Sequence, residues 1–298
     1  MMRVILTGAS GFLGKYIYNE LCKAHDVITI SRSGASHNLD LAKVIPVLEP
    51  ADLVIHVAGK AHSVPKTAAE KQAFFDVNKV GTLNLLKGLE QSAAIPKFFV
   101  FISTVAVYGK ESGILINENT SLEAKDPYGE SKIQAERLIS KWCAEKNVVC
   151  TILRLPLLVG ENPPGNLGAM IKGLKKGYYF NIAGGKARKS MVMAADVAKI
   201  IPVAAKIGGI YNLTDGYHPS FEELSMSIAK QLSKGHPVNL PLWLAKVLAG
   251  LGDILGNKSP INTRKLVKIR ADLTFDDRYA REQLNWNPKS VLEGFRLK

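Results

Sequence analysis

The 298-residue sequence predicts an α/β protein: a doubly wound parallel sheet with a smaller C-terminal lobe. Three observations predict it. Short, nearly continuous apolar runs alternate with helical stretches over the first half, as expected for strands buried on both faces by crossover helices. A glycine-rich turn stands directly between the first apolar run and the first helical stretch. After about Gly160 the alternation gives way to more irregular and more basic sequence.

Strands are expected at Arg3–Thr7, Val27–Ser31, Leu53–Ala58, Lys97–Ser103 and Val148–Leu153, each an apolar run. Helical stretches lie between them at Phe12–Lys23, Glu70–Gln91 and Pro127–Lys146, and a sixth strand near Gly209–Leu213 is expected to rejoin the sheet. Residues 1–160 therefore read as one domain, to which the chain returns near 190–215, and residues 161–298 mainly as the smaller lobe. Glu161-Asn162-Pro163-Pro164-Gly165 marks the boundary, a loop by its turn chemistry.

Composition narrows the possible partners. Hydrophobic residues make up 47% and charged residues 22%, enough apolar matter for a full core and too much for wholesale disorder. Cys22, Cys143 and Cys150 are too few and too scattered for a disulfide framework or a zinc site. The six histidines show no metal-ligand spacing, so no metal is expected, and His62 is given a structural or solvent-facing role. A net charge of +13 suits nucleic acid, an anionic membrane face or phosphorylated small molecules. No zinc-finger spacing, RNP-type aromatic motif or helix-turn-helix signature supports nucleic acid. The apolar stretch from Leu240 to Gly256 is interrupted by Pro241, Lys246 and Asp253, which argues against a bilayer span and leaves a buried or amphipathic helix, with a weak membrane-surface role as a further alternative. The opening MMRVILTGAS enters a strand with no signal-peptide core, so a cytoplasmic location is expected.

The first strand runs into Gly8-Ala9-Ser10-Gly11-Phe12-Leu13-Gly14, a G-x-x-G-x-x-G turn opening a helix. Glycines allow a tight turn and close backbone approach, and the helix N-terminus offers free N–H groups to a pyrophosphate. Gly8, Ser10, Gly11, Phe12, Leu13 and Gly14 are thus candidate dinucleotide contacts in a Rossmann-type arrangement. An acid at the end of the second strand would bind the ribose hydroxyls of NAD, whereas arginine accommodates the extra phosphate of NADP. Here that position reads Ser31-Arg32-Ser33. An arginine–phosphate hydrogen bond is worth roughly 1.5–3 kcal/mol, or about 10- to 100-fold in affinity. NADP is the preferred cofactor on this reading and NAD the alternative, in which Arg32 simply faces solvent.

Tyr128-Gly129-Glu130-Ser131-Lys132 places a phenol and an ammonium on one face of a helix begun by Pro127. A free tyrosine has a pKa near 10. Lys132 and an oxidised nicotinamide ring would both favour the phenolate. Such a tyrosine serves as general base in oxidation and as general acid in reduction. Upstream, Phe99–Ile102 leads into Ser103 and Thr104, hydroxyls at the C-terminal end of a parallel strand, where open sheets bind ligands. Thr104 is placed to align a reacting carbonyl or hydroxyl. Tyr108 is expected to pack nearby rather than react.

The order of these motifs, with His56-Val57-Ala58-Gly59 and Leu153–Gly160 between and after them, resembles the extended short-chain dehydrogenase/reductase family. More narrowly it resembles the NAD-dependent epimerase/dehydratase group, which acts on nucleotide-sugars. The resemblance implies Thr104, Tyr128 and Lys132 as a catalytic triad, with Lys132 also holding the nicotinamide ribose. It implies Asp40 and Leu41 near the adenine, Ala58 and Gly59 beside the cofactor, and Asn78 on the following helix. Ser31 and Ser103 complete the candidate cofactor set. Gly184–Val192 followed by Ala195-Asp196-Val197-Ala198 resembles the family's stretch that contacts the sugar-nucleotide phosphate, usually through arginine. Lys189 stands at that position with Arg188 beside it, and either side chain can do the job. Arg281–Pro288 resembles the family's usual tail, with a packing role. A homodimer through Glu70–Gln91 and Pro127–Lys146 is also implied, although periodicity alone fits internal helices equally well.

Dehydratases of the group carry Thr-Asp-Glu after this strand. Thr104 is followed by Val105 and Ala106, which disfavours elimination. Arg32 and the His56–His62 stretch favour a 4-keto-sugar reductase acting on a UDP-linked precursor of a surface polysaccharide. The alternatives are a nucleotide-sugar 4-epimerase with tightly held NAD and, from another class, a non-catalytic dinucleotide sensor. The presence of both Tyr128 and Lys132 speaks against the sensor.

Overall fold

The computed structural model describes residues 1–61, 63–255 and 262–297, so His62 and Gly256, the last residue of the apolar stretch, lie outside the described residues. In chain order the first half runs β1 (Arg3–Thr7), α1 (Phe12–Leu21), β2 (Asp26–Ser31), β3 (His37–Asn38), β4 (Leu53–His56), α2 (Ala68–Phe75), α3 (Gly81–Glu90), β5 (Phe98–Thr104), β6 (Gly113–Ile116), α4 (Pro127–Lys146) and β7 (Val149–Leu155). The second half runs β8 (Leu157–Val159), α5 (Gly165–Lys176), β9 (Phe180–Ile182), β10 (Met191–Met193), α6 (Ala194–Ile207), β11 (Gly209–Asn212) and α7 (Phe221–Gln231). It ends with β12 (Val238–Leu240), α8 (Leu242–Leu255), α9 (Thr263–Arg270), β13 (Leu273–Phe275), α10 (Arg278–Leu284) and α11 (Val291–Gly294).

Seven strands form one parallel sheet in the order β11-β7-β5-β4-β1-β2-β3. The chain winds outward both ways from β1, so the fold is Rossmann-type and doubly wound, with its switch point between β1 and β4. Period-two alternation in β1 separates the two faces. Val4 and Leu6 join Leu13 and Ile17 of α1, Val197 and Ile201 of α6 and Ala280 of α10. Ile5 joins Leu85 and Leu89 of α3 and Ile139 and Trp142 of α4 on the other side. The expected strands are present within two residues of their predicted ends, and β11 does rejoin the sheet beside β7.

Local chemistry sets the helices that matter. Asp126 caps α4, accepting from the Gly129 N–H at 3.1 Å, Pro127 fills its first position, and Asn147 closes it at φ 56°. Thr67 and Glu70 form a reciprocal capping box for α2. The single helix expected over Glu70–Gln91 differs in one respect: a π-helical turn, Asp76–Val80, separates α2 from α3. Beyond β7 the irregular sequence resolves into short parallel ribbons, β8 with β10 and β9 with β12, while β13 pairs with β6. Leu167, Ile171 and Leu174 of α5 pack with Leu224 and Ile228 of α7 and with Val291 and Phe295 in a separate apolar cluster.

Candidate active site

The glycine turn at the end of β1 is dictated by backbone contact. Gly8 sits at φ 73°, donates its N–H to the Ile30 carbonyl at 2.7 Å and accepts from the Gly11 N–H at 3.0 Å. A Cβ on Gly8 would lie 2.6 Å from the Ala58 nitrogen, and one on Gly14 only 2.1 Å from the Gly8 carbonyl oxygen. The turn is thus pressed against both the end of β4 and its own helix. No side chain caps α1, so its first amides are left for an anion. The Ser10 N–H donates to Ser31 Oγ at 3.3 Å, tying the turn to the end of β2. Leu13 is buried, and half-buried Phe12 packs edge-on against Tyr16. Arg32 is exposed immediately after buried Ser31. Asp40 accepts from the Ala42 N–H at 3.1 Å, and buried Leu41 offers its carbonyl to Asn84 Nδ2 at 2.7 Å. This close-approach cradle fits the pyrophosphate end of a dinucleotide.

Behind the turn, Thr7, His56 and Thr82 form a buried chain of hydrogen bonds. Thr82 donates to the Asn78 carbonyl at 2.6 Å, so it accepts from His56 Nε2 at 2.9 Å. His56 Nδ1 then accepts from the Thr7 hydroxyl at 2.7 Å, and Thr7 Oγ1 accepts from the Val57 and Ala58 N–H groups. His56 is a neutral Nε2–H tautomer, and burial, helped by the Lys132 charge, lowers its pKa to about 3. Buried Asn78, in the π turn, accepts from the Lys60 N–H at 2.7 Å and donates to the Lys60 carbonyl at 3.1 Å and to Ser131 Oγ at 2.9 Å. It joins the loop carrying Ala58 and Gly59 to α4.

On α4, Tyr128 and Lys132 come beside the end of β5. The Thr104 hydroxyl accepts from the Ala106 N–H at 3.2 Å and stands beside the Tyr128 phenol. Burial raises the phenol pKa, with Asp126 adding to the rise and Thr104 opposing it. The Tyr128 ring packs 6.1 Å from that of Phe74. Lys132 is buried; its Nζ donates to the Ile102 carbonyl at 2.6 Å and lies 3.8 Å above the Phe101 ring. Burial lowers its pKa to about 7, opposed by Glu136.

One buried network was not foreseen. Glu136, one turn beyond Lys132 on α4, receives Arg154 Nε at 3.2 Å and Nη2 at 2.8 Å. Arg154 Nη1 donates to the Tyr108 hydroxyl at 3.1 Å, which donates to Asn212 Oδ1 at 2.7 Å. Ser103 donates to Glu136, so its hydroxyl is engaged with the ion pair rather than turned toward the glycine turn. The signal in the sequence was Arg154 itself, a cation inside the apolar run of β7. Tyr108, expected to pack, is buried beneath this network.

Arg188 and Lys189 stand apart from that group and already have protein partners. Arg188 Nη1 donates to the His218 carbonyl at 3.0 Å and pairs with Glu223 at 3.6 Å. Lys189 Nζ donates to the carbonyls of Lys268 at 3.1 Å and Ala271 at 2.8 Å, closing the end of α9, and burial lowers its pKa.

The family described as "NAD dependent epimerase/dehydratase family" matches residues 4–213, from the first strand to the return of β11. The chain belongs to that family. It is accordingly an enzyme of the nicotinamide-dependent kind. Among its relatives, UDP-glucose 4-epimerase of Vibrio cholerae is 26% identical over 98% of this chain and 93% of its own length. An Escherichia coli O157:H7 protein, N-acetyl-alpha-D-glucosaminyl-diphospho-ditrans,octacis-undecaprenol 4-epimerase, is 27% identical over 92% of this chain and 87% of its own. GDP-6-deoxy-D-mannose reductase of Pseudomonas aeruginosa is 33% identical over 47% of each chain. The UDP-glucose 4-epimerase structure from Thermotoga maritima superposes with a TM-score of 0.76 at 20% identity, covering 98% of this chain and 96% of that one, and shows the same fold.

Two outcomes follow for this family member. Arg154→Met strips buried Glu136 of its paired guanidinium, which should cost about 3–5 kcal/mol. Chemical denaturation should show that loss, and Glu136→Met added to Arg154→Met should recover most of it. The second concerns Lys132, whose pKa of about 7 in the folded protein lies below the ~10.4 of an unfolded lysine. Between those values the unfolded chain binds the extra proton, so stability should rise with pH across that window. Lys132→Met should abolish the slope in protein free of added dinucleotide and raise stability below pH 7 by on the order of a few kcal/mol. A slope unchanged in Lys132→Met would show that Lys132 is not the titrating group.

Proposed function

We propose that the protein is an NADPH-dependent reductase of a 4-keto sugar carried on UDP, with Tyr128 as proton donor. The observation that carries this reading is Arg32, exposed at the end of β2 where no acid stands, which suits NADPH, while Tyr128 holds the proton that a reduction must deliver. The bound dinucleotide supplies the hydride. Thr104, beside the phenol, orients the carbonyl oxygen that receives the proton. Lys132 holds the nicotinamide ribose, and its charge beside Tyr128 stabilises the phenolate left behind. Exposed Arg32, at the end of β2 where no acid stands, receives the 2′-phosphate of NADP. Gly8, Ser10, Gly11, Phe12, Leu13 and Gly14 receive the pyrophosphate, with Ser31, Asp40, Leu41, Ala58, Gly59, Asn78 and Ser103 shaping the rest of the cleft. Residues 161–298 supply most of the sugar-nucleotide site, where Arg188 and Lys189 are the cations nearest in sequence to the family's phosphate contact.

A second reading, a 4-epimerase that keeps NAD bound, is favoured by two relatives that match over most of their length and are named as 4-epimerases. One incubation separates the two. With a UDP-4-keto-6-deoxyhexosamine, stoichiometric loss of reduced-nicotinamide absorbance is the reductase outcome. NAD that co-purifies, together with interconversion of UDP-hexoses and no net oxidation, is the epimerase outcome.

Tyr128→Phe should lower turnover by about 10²–10⁴-fold while dinucleotide affinity barely moves, because only proton transfer is lost. Arg32→Asp should swing the NADPH:NADH preference by roughly 10- to 100-fold toward NADH. Steady-state kinetics with both cofactors measures both; unchanged selectivity in Arg32→Asp would remove the case for NADP.

A further inference from the structure

Helix α8 presents its side chains in the reverse of the usual order. Its protein-facing side consists of small residues: Ala245 and Ala249 are buried against Ile182, Leu240 and Leu266, and Gly252 is buried with them. Its solvent-facing side carries the large ones. Trp243 is 68% exposed, Val247 54%, Leu251 55% and Ile254 83%. Their spacing of four, four and three residues puts them in one stripe, and neighbouring α9 adds Val267, 60% exposed. A soluble surface helix buries such residues and exposes its polar ones. Contiguous exposed apolar patches of this kind mark interaction sites.

Charge identifies the occupant. Lys246 on α8 and Arg264, Lys265, Lys268 and Arg270 on α9 accompany the stripe, and the acid within the two helices, Asp253, is engaged with Thr263. Glu111 of the first half offsets part of this, pairing with Arg264 at 2.8 Å and Lys268 at 2.9 Å, while Lys246 and Arg270 are exposed. A cationic apolar stripe with tryptophan at one end complements an anionic lipid surface: aliphatic groups enter the acyl boundary while lysine and arginine meet phosphates. At 14 residues α8 is about 21 Å long, too short for a ~30 Å hydrocarbon core. No helix among the described residues is long and apolar enough to cross a membrane.

We propose that the α8–α9 pair docks in the plane of an anionic phospholipid membrane through Trp243, Val247, Leu251 and Ile254. The pair is tied to the substrate stretch, because Lys189 Nζ holds the carbonyls of Lys268 and Ala271 at the end of α9. The surface itself rests on exposure and charge and stands whichever sugar or reaction the enzyme uses.

Sedimentation of the full chain with phosphatidylglycerol-containing vesicles tests it, with tryptophan emission read in the same samples. Trp142 and Trp286 are only 6% and 4% exposed, so a blue shift on vesicle addition reports Trp243. Expected are co-sedimentation with anionic vesicles, weakening with salt, little binding to phosphatidylcholine alone, and the blue shift. Trp243→Ser/Ile254→Ser should reduce partitioning at least about tenfold with an unchanged melting temperature, and Lys246→Glu/Arg270→Glu should weaken it at low salt. Absence of binding, or binding indifferent to Trp243→Ser/Ile254→Ser, overturns the proposal. So does self-association abolished by those substitutions without vesicle binding, which would assign the stripe to a second copy of the chain.

Discussion

The candidate site is organised around a buried cation. Lys132 lies out of water at the end of β5, and little there solvates it beyond the Ile102 carbonyl and the face of Phe101. Desolvating an ammonium is costly, and the cost is visible in a pKa brought down to about 7. The neighbourhood limits the penalty without removing it. Glu136 stands one turn away, but Arg154 already answers its charge, so the three groups together leave the interior with a net positive charge.

The same constraint explains why His56 is neutral. A charged imidazole there would repel Lys132 across the end of the sheet, and burial alone already disfavours it. The Thr7–His56–Thr82 chain satisfies each ring nitrogen with a hydroxyl, so the histidine serves as a neutral brace between β1, β4 and α3. That brace fixes the height of Ala58, and Ala58 in turn is what a side chain at position 8 would strike. The glycine turn is therefore held against the end of β4 through one set of hydrogen bonds at the switch point of the sheet.

Much of this was legible in the sequence, for a physical reason. Strand burial, the glycine turn and the Tyr128–Lys132 spacing are local: apolar runs, steric demands and helical period can each be read within a few residues. What escaped reading depends on contacts far along the chain. The π turn at Asp76–Val80 has no local signature, and its Asn78 is held by Lys60 and Ser131, 18 and 53 residues away. Ser103 faces Glu136 because α4 packs across β5, 33 residues on. Arg188 and Lys189 were read as phosphate contacts, and their protein partners lie 30 to 82 residues further along. The short ribbons of the second half, of three residues per strand, fall below any periodicity that can be counted.

The net charge of +13 takes on structure in this light. At the candidate site, Lys132, Glu136 and Arg154 together hold at most one excess positive charge, buried where little screens it. On α8 and α9 it is spread along an exposed surface, where salt shortens its reach to about 8 Å under physiological conditions. Charge at that range can gather a protein to an anionic surface but cannot hold it there, because each pair exchanges one hydrated contact for another. Apolar contact has the opposite character, negligible at a distance and persistent once water is expelled. Trp243, Val247, Leu251 and Ile254 supply that second component beside the first, and a helix whose buried side is alanine and glycine loses little internal packing by turning them outward. The substitution pattern of α8 is what an interfacial helix requires: a small-residue seam toward its own protein, and its hydrophobic surface kept for a different solvent.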